Sequence, residues 1–260
     1  MGMVRKILIC TWMLVTCNVI MAQNMRRALK VKVAETALSS GFGLYDNPVW
    51  GVGASIHYLV GVGVQEQKFK IGVGIREFSY FSKKREYSTS NLDYVAQLKN
   101  GSDSVYIPKM QSNFVNGYLA LRYKIKRGID FGANIDIGGI TFGGTKSGFF
   151  HSYELTLGQK QKENLKPFGY NLNTFGQRGT WGTSFSELYL QFRAGNIMSY
   201  RIALNKFSNE VETEGYVTGS GYRFNNNGYT IMGSLVWNIR HNQSDRDEMN
   251  FYKKSRVIFK

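Results

Sequence analysis

The sequence predicts an all-β fold, a closed antiparallel transmembrane β-barrel of about eight strands with short periplasmic turns and long external loops. Three observations predict it. Segment after segment alternates apolar with small or polar residues at a period of two, which places the two sets on opposite faces of a strand. The connections between segments are alternately very short and very long, the rhythm of barrels that cross an outer membrane. The two faces also differ in kind, one bulky and apolar, the other rich in charge and glycine.

The chain begins with Arg5 and Lys6, an apolar run over residues 7–21 and then Ala22. This reads as a secretory signal cut after Ala22, so residues 1–22 are set apart from the fold. Cys10 and Cys17 both lie in it, and the mature chain therefore has no disulfide. No later window offers the ~18 consecutive apolar residues of a spanning helix.

Residues 37–45 form the first strand, with Leu38, Phe42 and Leu44 opposite Ser39, Gly41 and Gly43, and Asp46-Asn47-Pro48 turns it. Residues 50–62 show the alternation best: Trp50, Val52, Ala54, Ile56, Tyr58, Val60 and Val62 face away from Gly51, Gly53, Ser55, His57 and Gly61. Leu59 is the exception. After the turn Gln65-Glu66-Gln67, residues 69–81 set Phe69, Ile71, Val73 and Ile75 against Lys70, Gly72, Gly74 and Arg76. Residues 114–125 set Val115, Leu119, Leu121, Tyr123 and Ile125 against Asn116, Tyr118, Ala120, Arg122 and Lys124, and Lys126-Arg127-Gly128 leads into the next strand.

Residues 129–142 alternate Ile129, Phe131, Ala133, Ile135 and Ile137 with Asp130, Gly132, Asn134, Asp136 and Gly138. Residues 185–194 oppose Leu188, Leu190 and Phe192 to Glu187, Tyr189, Gln191 and Arg193, and Gly195-Asn196 is a tight turn. Residues 197–207 and 229–240 complete the set, the latter with Ile231, Leu235, Trp237 and Ile239 opposite Thr230, Ser234, Asn238 and Arg240. The barrel then occupies residues 23–240, and residues 241–260 form a polar, basic tail. The external loops are 82–113, 143–184 and 208–228; part of the second is expected to extend the strands as a hairpin above the membrane.

A soluble barrel would also alternate, but its bulky set would point inward and its charges outward. The volume of the Phe, Tyr, Leu and Ile residues here would overfill about eight strands. The membrane reading accommodates both faces.

A barrel of ~8 strands is only wide enough for side chains to fill it. The polar face is therefore expected to be a packed lumen in which Arg76, Arg122, Arg193, Arg201 and Arg240 meet Asp130, Asp136 and Glu187, with His57 and Asn134 bridging. Buried charges require such pairing. A gated conduit is the functional alternative to this ion-pair plug. Ser55 with His57, or His151-Ser152 beside Glu154, are the only pairs suggestive of a lipid-modifying hydrolase. Neither has the spacing of a known site, and catalysis is not expected.

No metal or cofactor site is expected: Asp245-Arg246-Asp247-Glu248 lacks the spacing of a calcium loop. Gly51/Gly53 and Gly72/Gly74 lie inside strands with no helix following. There are 33 Lys+Arg and 18 Asp+Glu; Arg5 and Lys6 leave with the signal, taking the formal +15 to +13. This charge favours anionic partners. An exported chain meets phosphorylated lipid or polysaccharide rather than nucleic acid. Lys83-Lys84-Arg85, where the second clear strand leaves the membrane, reads either as a cluster that pairs with lipopolysaccharide phosphates or as a solvated loop cluster.

An Ala-Gln signal end, a Gly-rich first hairpin, Arg and Asp alternating into the lumen and long aromatic external loops resemble the small bacterial outer-membrane β-barrels grouped as PorT-like and OmpA-like domains. At the C-terminus the chain departs from their commonest form, because Phe259 is followed by Lys260. The last strand is either 229–240 or includes 257–259. The resemblance implies a cell outer-membrane location and a binding, structural or accessory role in a secretion or uptake complex. Function is expected to reside in the external loops, with hydrolase and narrow channel as alternatives.

Overall fold

A computed structural model describes residues 32–43, 49–62, 68–89, 103–151, 161–172, 182–195, 197–217 and 221–240. Among these are eleven strands and no helix: β1 (Lys32–Gly43), β2 (Val49–Gly61), β3 (Phe69–Thr89), β4 (Ser104–Lys126), β5 (Ile129–Phe142), β6 (Lys146–His151), β7 (Gln161–Pro167), β8 (Tyr170–Leu172), β9 (Ser184–Arg193), β10 (Met198–Val217) and β11 (Gly221–Arg240). All pairings are antiparallel. The expected signal at 1–22, the expected tail at 241–260, the expected turns at 46–48 and 65–67, and Asn196 lie outside the described residues.

Eight strands pair in a ring, β1 with β2, then β3, β4, β5, β9, β10 and β11, which returns to β1. Above it stands a second, narrower ring of six. There β3 pairs with β4, β4 with β6, β6 with β7, β7 with β10, β10 with β11, and β11 with β3 again. The β1–β2 hairpin ends below this level, which lets β11 meet β3 directly at Phe224↔Thr89. Strands β3, β4, β10 and β11 run through both rings.

Polarity reverses between the two. In the lower ring Leu38, Ile56, Val73, Ile75, Phe131, Leu188, Ile202 and Ile231 are exposed, while Glu35, His57, Arg76, Arg122, Asp136, Glu187 and Arg201 are buried. In the upper ring the buried set is Tyr87, Val105, Ile107, Met110, Phe150, Leu165, Val211 and Phe224. Lys83, Lys84, Glu86, Lys109, Lys162 and Lys166 face outward. The upper ring is thus packed like a water-soluble barrel, and the lower ring is its inverse but for the outward Glu77 on β3.

The reversal has a local cause on β3 and β4. Lys83 and Lys84 are both exposed, as are Pro108 and Lys109 opposite them, so the inward parity shifts by one on both strands together. Lys84 has a φ of 50°. This left-handed conformation inserts the extra outward residue. On β5 the register slips between Gly138 and Asp136, a bulge that re-aims Thr141 inward. Gly72 marks a close backbone approach, because a Cβ there would run into the carbonyl oxygen of Tyr58.

Several expectations are corrected. The first strand begins at Lys32 rather than Ala37, because Val33, Glu35 and Ala37 continue its inward face. Much of the expected loops 82–113 and 208–228 is strand, since β3, β4, β10 and β11 continue on a core of opposite polarity. Loop 143–184 does contain the expected hairpin, β6–β7. The inner face is not only charge and glycine: Phe78, Tyr80, Phe114, Phe185 and Phe207 are buried inside.

Candidate functional site

The lumen is filled in tiers set by register. At the bottom, Val33, Leu59, Tyr118 and Ala120 cluster. Next to them Glu35 is the hub of an ionic tier. Arg122 donates from Nη1 and Nη2 to its two oxygens at 2.7 and 2.6 Å. Gln191 Nε2 donates to both at 3.3 Å, and His57 Nε2 and Arg201 Nη2 lie at 3.2 and 3.6 Å. His57 Nδ1 is 3.0 Å from the Tyr118 hydroxyl, and Arg122 Nε donates to the Tyr189 hydroxyl at 3.3 Å.

One step higher, Arg76 Nε is 3.0 Å from Asp136 and its Nη1 3.6 Å from Glu187. Asn134 Nδ2 donates to Glu187 at 2.7 Å, Asn116 Nδ2 to Asp136 at 2.7 Å, and the Phe185 amide to Asp136 at 2.9 Å. Arg201 Nη1, 3.8 Å from Glu187, links the two tiers. The guanidinium groups of Arg76 and Arg201 also lie over the rings of Tyr118 and Tyr189, at 4.4 and 4.1 Å.

Above the ions is an aromatic tier, with Phe78 and Phe185 centroids 4.9 Å apart, Phe78 and Phe114 5.7 Å, and Tyr80 and Phe207 5.1 Å. A second polar belt follows. Asn171 Nδ2 donates to Asn116 at 2.8 Å, the Thr183 amide to Asn171 at 2.7 Å, and the Gly182 amide to Glu210 at 2.7 Å. It ends under the upper core, where Asn209 Nδ2 donates to the Tyr87 hydroxyl at 3.0 Å. Burial pushes the Tyr87 phenol up to about 12.

Of the residues expected in the lumen, His57, Arg76, Arg122, Asn134, Asp136, Glu187 and Arg201 are brought together there. Asp130 is buried and pairs in register with Gln191. Arg193 is half-buried at the lower rim, its amide donating to the Gly128 carbonyl. The backbone of Arg240 pairs with Ala34, and its side chain is outside the described residues. The hub Glu35 was missed, although an acid between Val33 and Ala37 at period two is a readable inward signal. His57 is enclosed by these partners. His151 is exposed at the end of β6, and Ser152 and Glu154 lie outside the described residues. Among the described residues no group of three His, Cys, Asp or Glu could hold a metal ion.

On the outside, the exit cluster differs from the expected Lys83-Lys84-Arg85. Arg85 turns inward and is buried. Lys109 takes its place, as the register partner of Lys83. Just below, the rings of Trp50 and Phe81 stack at 4.4 Å.

No family model matches the chain, and no curated protein matches it. Among solved structures it is similar to Ail, the attachment invasion locus protein of Yersinia pestis, in complex with the heparin analogue sucrose octasulfate. The identity is 9%, the match covers 81% of this chain and 99% of that one, and the TM-score is 0.32. It is similar to Neisserial surface protein A at 6% identity, 81% and 97% coverage and a TM-score of 0.30. A major outer membrane protein of Thermus thermophilus gives 10%, 79% and 99%, and 0.32.

Proposed function

We propose that this chain is an outer-membrane β-barrel protein, neither an enzyme nor an open channel, that acts by binding through the part standing outside the membrane. The observation that carries this reading is the reversal of polarity along β3, β4, β10 and β11. A face that is apolar outward over charges, and then polar outward over an apolar core, fits strands that leave lipid for water partway along their length. The outward apolar run of β2 from Trp50 to Val60, about 34 Å along the strand, would rise about 24–28 Å across the membrane at the usual barrel tilt, close to the height of an outer-membrane apolar band. The stacked Trp50 and Phe81 sit at its upper edge, where aromatic anchors belong.

The tiers of the lumen argue against conduction. An ion crossing would have to break the Glu35 and Asp136 clusters, then displace the aromatic tier, then enter the apolar upper core. They also argue against hydrolysis at His57, since lipid has no route to it. What is left for function is the upper ring, in agreement with the binding or secretion-accessory role that the PorT-like resemblance implies.

The test is reconstitution of the full chain in planar bilayers, with protease digestion of intact cells. No steady conductance is expected, and cleavage is expected in residues 152–160 but not in 63–67. Steady, selective conductance would replace this reading with a narrow channel; cleavage in 63–67 alone would invert the topology.

A further inference from the structure

The outer face of β3, β4, β6 and β7 carries charge and aromatic area in an arrangement that internal packing does not require. Lys83 and Lys109 are direct cross-strand partners, with Lys84 next to them, all exposed. Like charges placed opposite each other on a sheet are destabilising. Among the described residues none of the three is in an ion pair. Lys84 moreover holds a left-handed backbone, which is unfavourable for a non-glycine residue. The strands thus accept two unfavourable features at one point, and their shared effect is to put three ammonium groups side by side just above the stacked Trp50 and Phe81.

One step higher, Glu86, Tyr106, Phe149 and Lys162 form a single cross-strand row, in which the Glu86 carboxylate is occupied by a hydrogen bond from the Ser104 hydroxyl. Tyr106 and Phe149 are each 39% exposed. Neighbouring strands are about 4.8 Å apart, so two half-exposed aromatic side chains stand next to each other over about the width of a sugar ring, between Glu86 and Lys162.

We propose that this face docks the phosphorylated saccharide headgroup of an outer-leaflet glycolipid, of the lipopolysaccharide class. Lys83, Lys84 and Lys109 take its phosphates and Tyr106 and Phe149 carry a sugar ring. Charge complementarity and position select this occupant: the lysines stand at the upper edge of the apolar belt, at headgroup height, and a phosphate between them relieves their repulsion. The two rings lie immediately beyond, where the first sugars of such a lipid would project. This inference rests on the outer-membrane reading above.

The test uses the full chain refolded in detergent and three probes: phosphorylated lipopolysaccharide, the same lipopolysaccharide enzymatically stripped of phosphate, and inorganic phosphate. Binding is read by native mass spectrometry. The wild type is expected to hold the phosphorylated lipid about tenfold more tightly than the stripped one, and inorganic phosphate to compete poorly. Lys83→Gln/Lys84→Gln/Lys109→Gln is expected to abolish the difference, Tyr106→Ala/Phe149→Ala to weaken both lipids alike, and Lys126→Gln at the lower rim to change neither. Resistance to unfolding in unheated detergent gels verifies that each variant is folded. Discrimination that survives in the triple glutamine variant, or its absence in the wild type, overturns the inference. So does inorganic phosphate competing as well as the lipid. If conductance and protease topology meanwhile stand as described, the outer-membrane reading survives and only the glycolipid site is lost.

Discussion

Glu35 and Arg122 join strands that are not neighbours in the ring, β1 and β4, through two parallel hydrogen bonds of 2.7 and 2.6 Å across the lumen. Removing Glu35 strips the buried Arg122 of its carboxylate, and removing Arg122 leaves Glu35 only Gln191, His57 and the more distant Arg201. Glu35→Ala is expected to destabilise the inserted protein by about 3–5 kcal/mol in urea unfolding from lipid vesicles. In a double-mutant cycle, Arg122→Ala should cost much less in the Glu35→Ala background than alone. Additive losses would show that the pair is not the hub.

Phe185 packs against Phe78 in the aromatic tier and lends its amide to Asp136. Phe185→Ala opens a cavity in a tier that cannot collapse inside a ring, and a loss of about 3–5 kcal/mol is expected. Conductance in planar bilayers should remain absent because the ionic tiers below are intact. A variant that conducts would assign the seal to the aromatics alone.

A Cβ at Gly72 meets the Tyr58 carbonyl oxygen, a backbone atom that cannot step aside without spreading β2 from β3. Gly72→Ala is expected to cost about 1–3 kcal/mol and to slow refolding, seen as more of the unfolded band in unheated gels. Gly144→Ala, where nothing lies within 4 Å, is the matched control and should behave as wild type.

Lys84→Gly relieves the left-handed backbone at φ 50° and is expected to stabilise the upper ring by about 1 kcal/mol. It should at the same time weaken binding of phosphorylated glycolipid. Greater stability with unchanged binding would separate the conformation of Lys84 from the site proposed for it.

The Tyr87 phenol, raised by burial from 10.0 to about 12, is protonated in the folded chain at a pH where the unfolded chain has lost its proton. The folded state binds more protons in that window, so stability is unaffected below about pH 10 and falls as the pH rises from 10 towards 12. Tyrosinate absorbance followed with unfolding measures this. Tyr87→Phe should flatten the alkaline slope.

Face assignment was legible wherever one polarity rule held. On β2 the set from Trp50 to Val60 is outward and the set from Gly51 to Gly61 inward, as the alternation alone implies. The reading broke where the rule changed sign. Beyond Ser82 and before Met110 the lysines look like loop residues, because a single-rule pattern cannot register a parity shift made on two strands at once. Tyr87, Ile107 and Phe224 then read as isolated apolar residues rather than as one core. The site was half visible: the charges of the inner face could be collected, but not their division into a Glu35 tier and an Asp136 tier, which depends on strand stagger. Phe78 and Phe185 escaped for a related reason: a division of faces by polarity admits rings with a hydroxyl, Tyr118 and Tyr189, to the inner side and has no inward place for a purely apolar one.

Strands β3, β4, β10 and β11 behave as staves that continue past one hoop into another. A push or pull on the upper hoop is carried by unbroken backbone into the lower one, with no hinge between them. The outer part is thus a rigid mast rather than a set of independent arms. Anything that grips it turns or tilts the whole barrel in its membrane, and trimming the mast shortens staves that the barrel itself is made from.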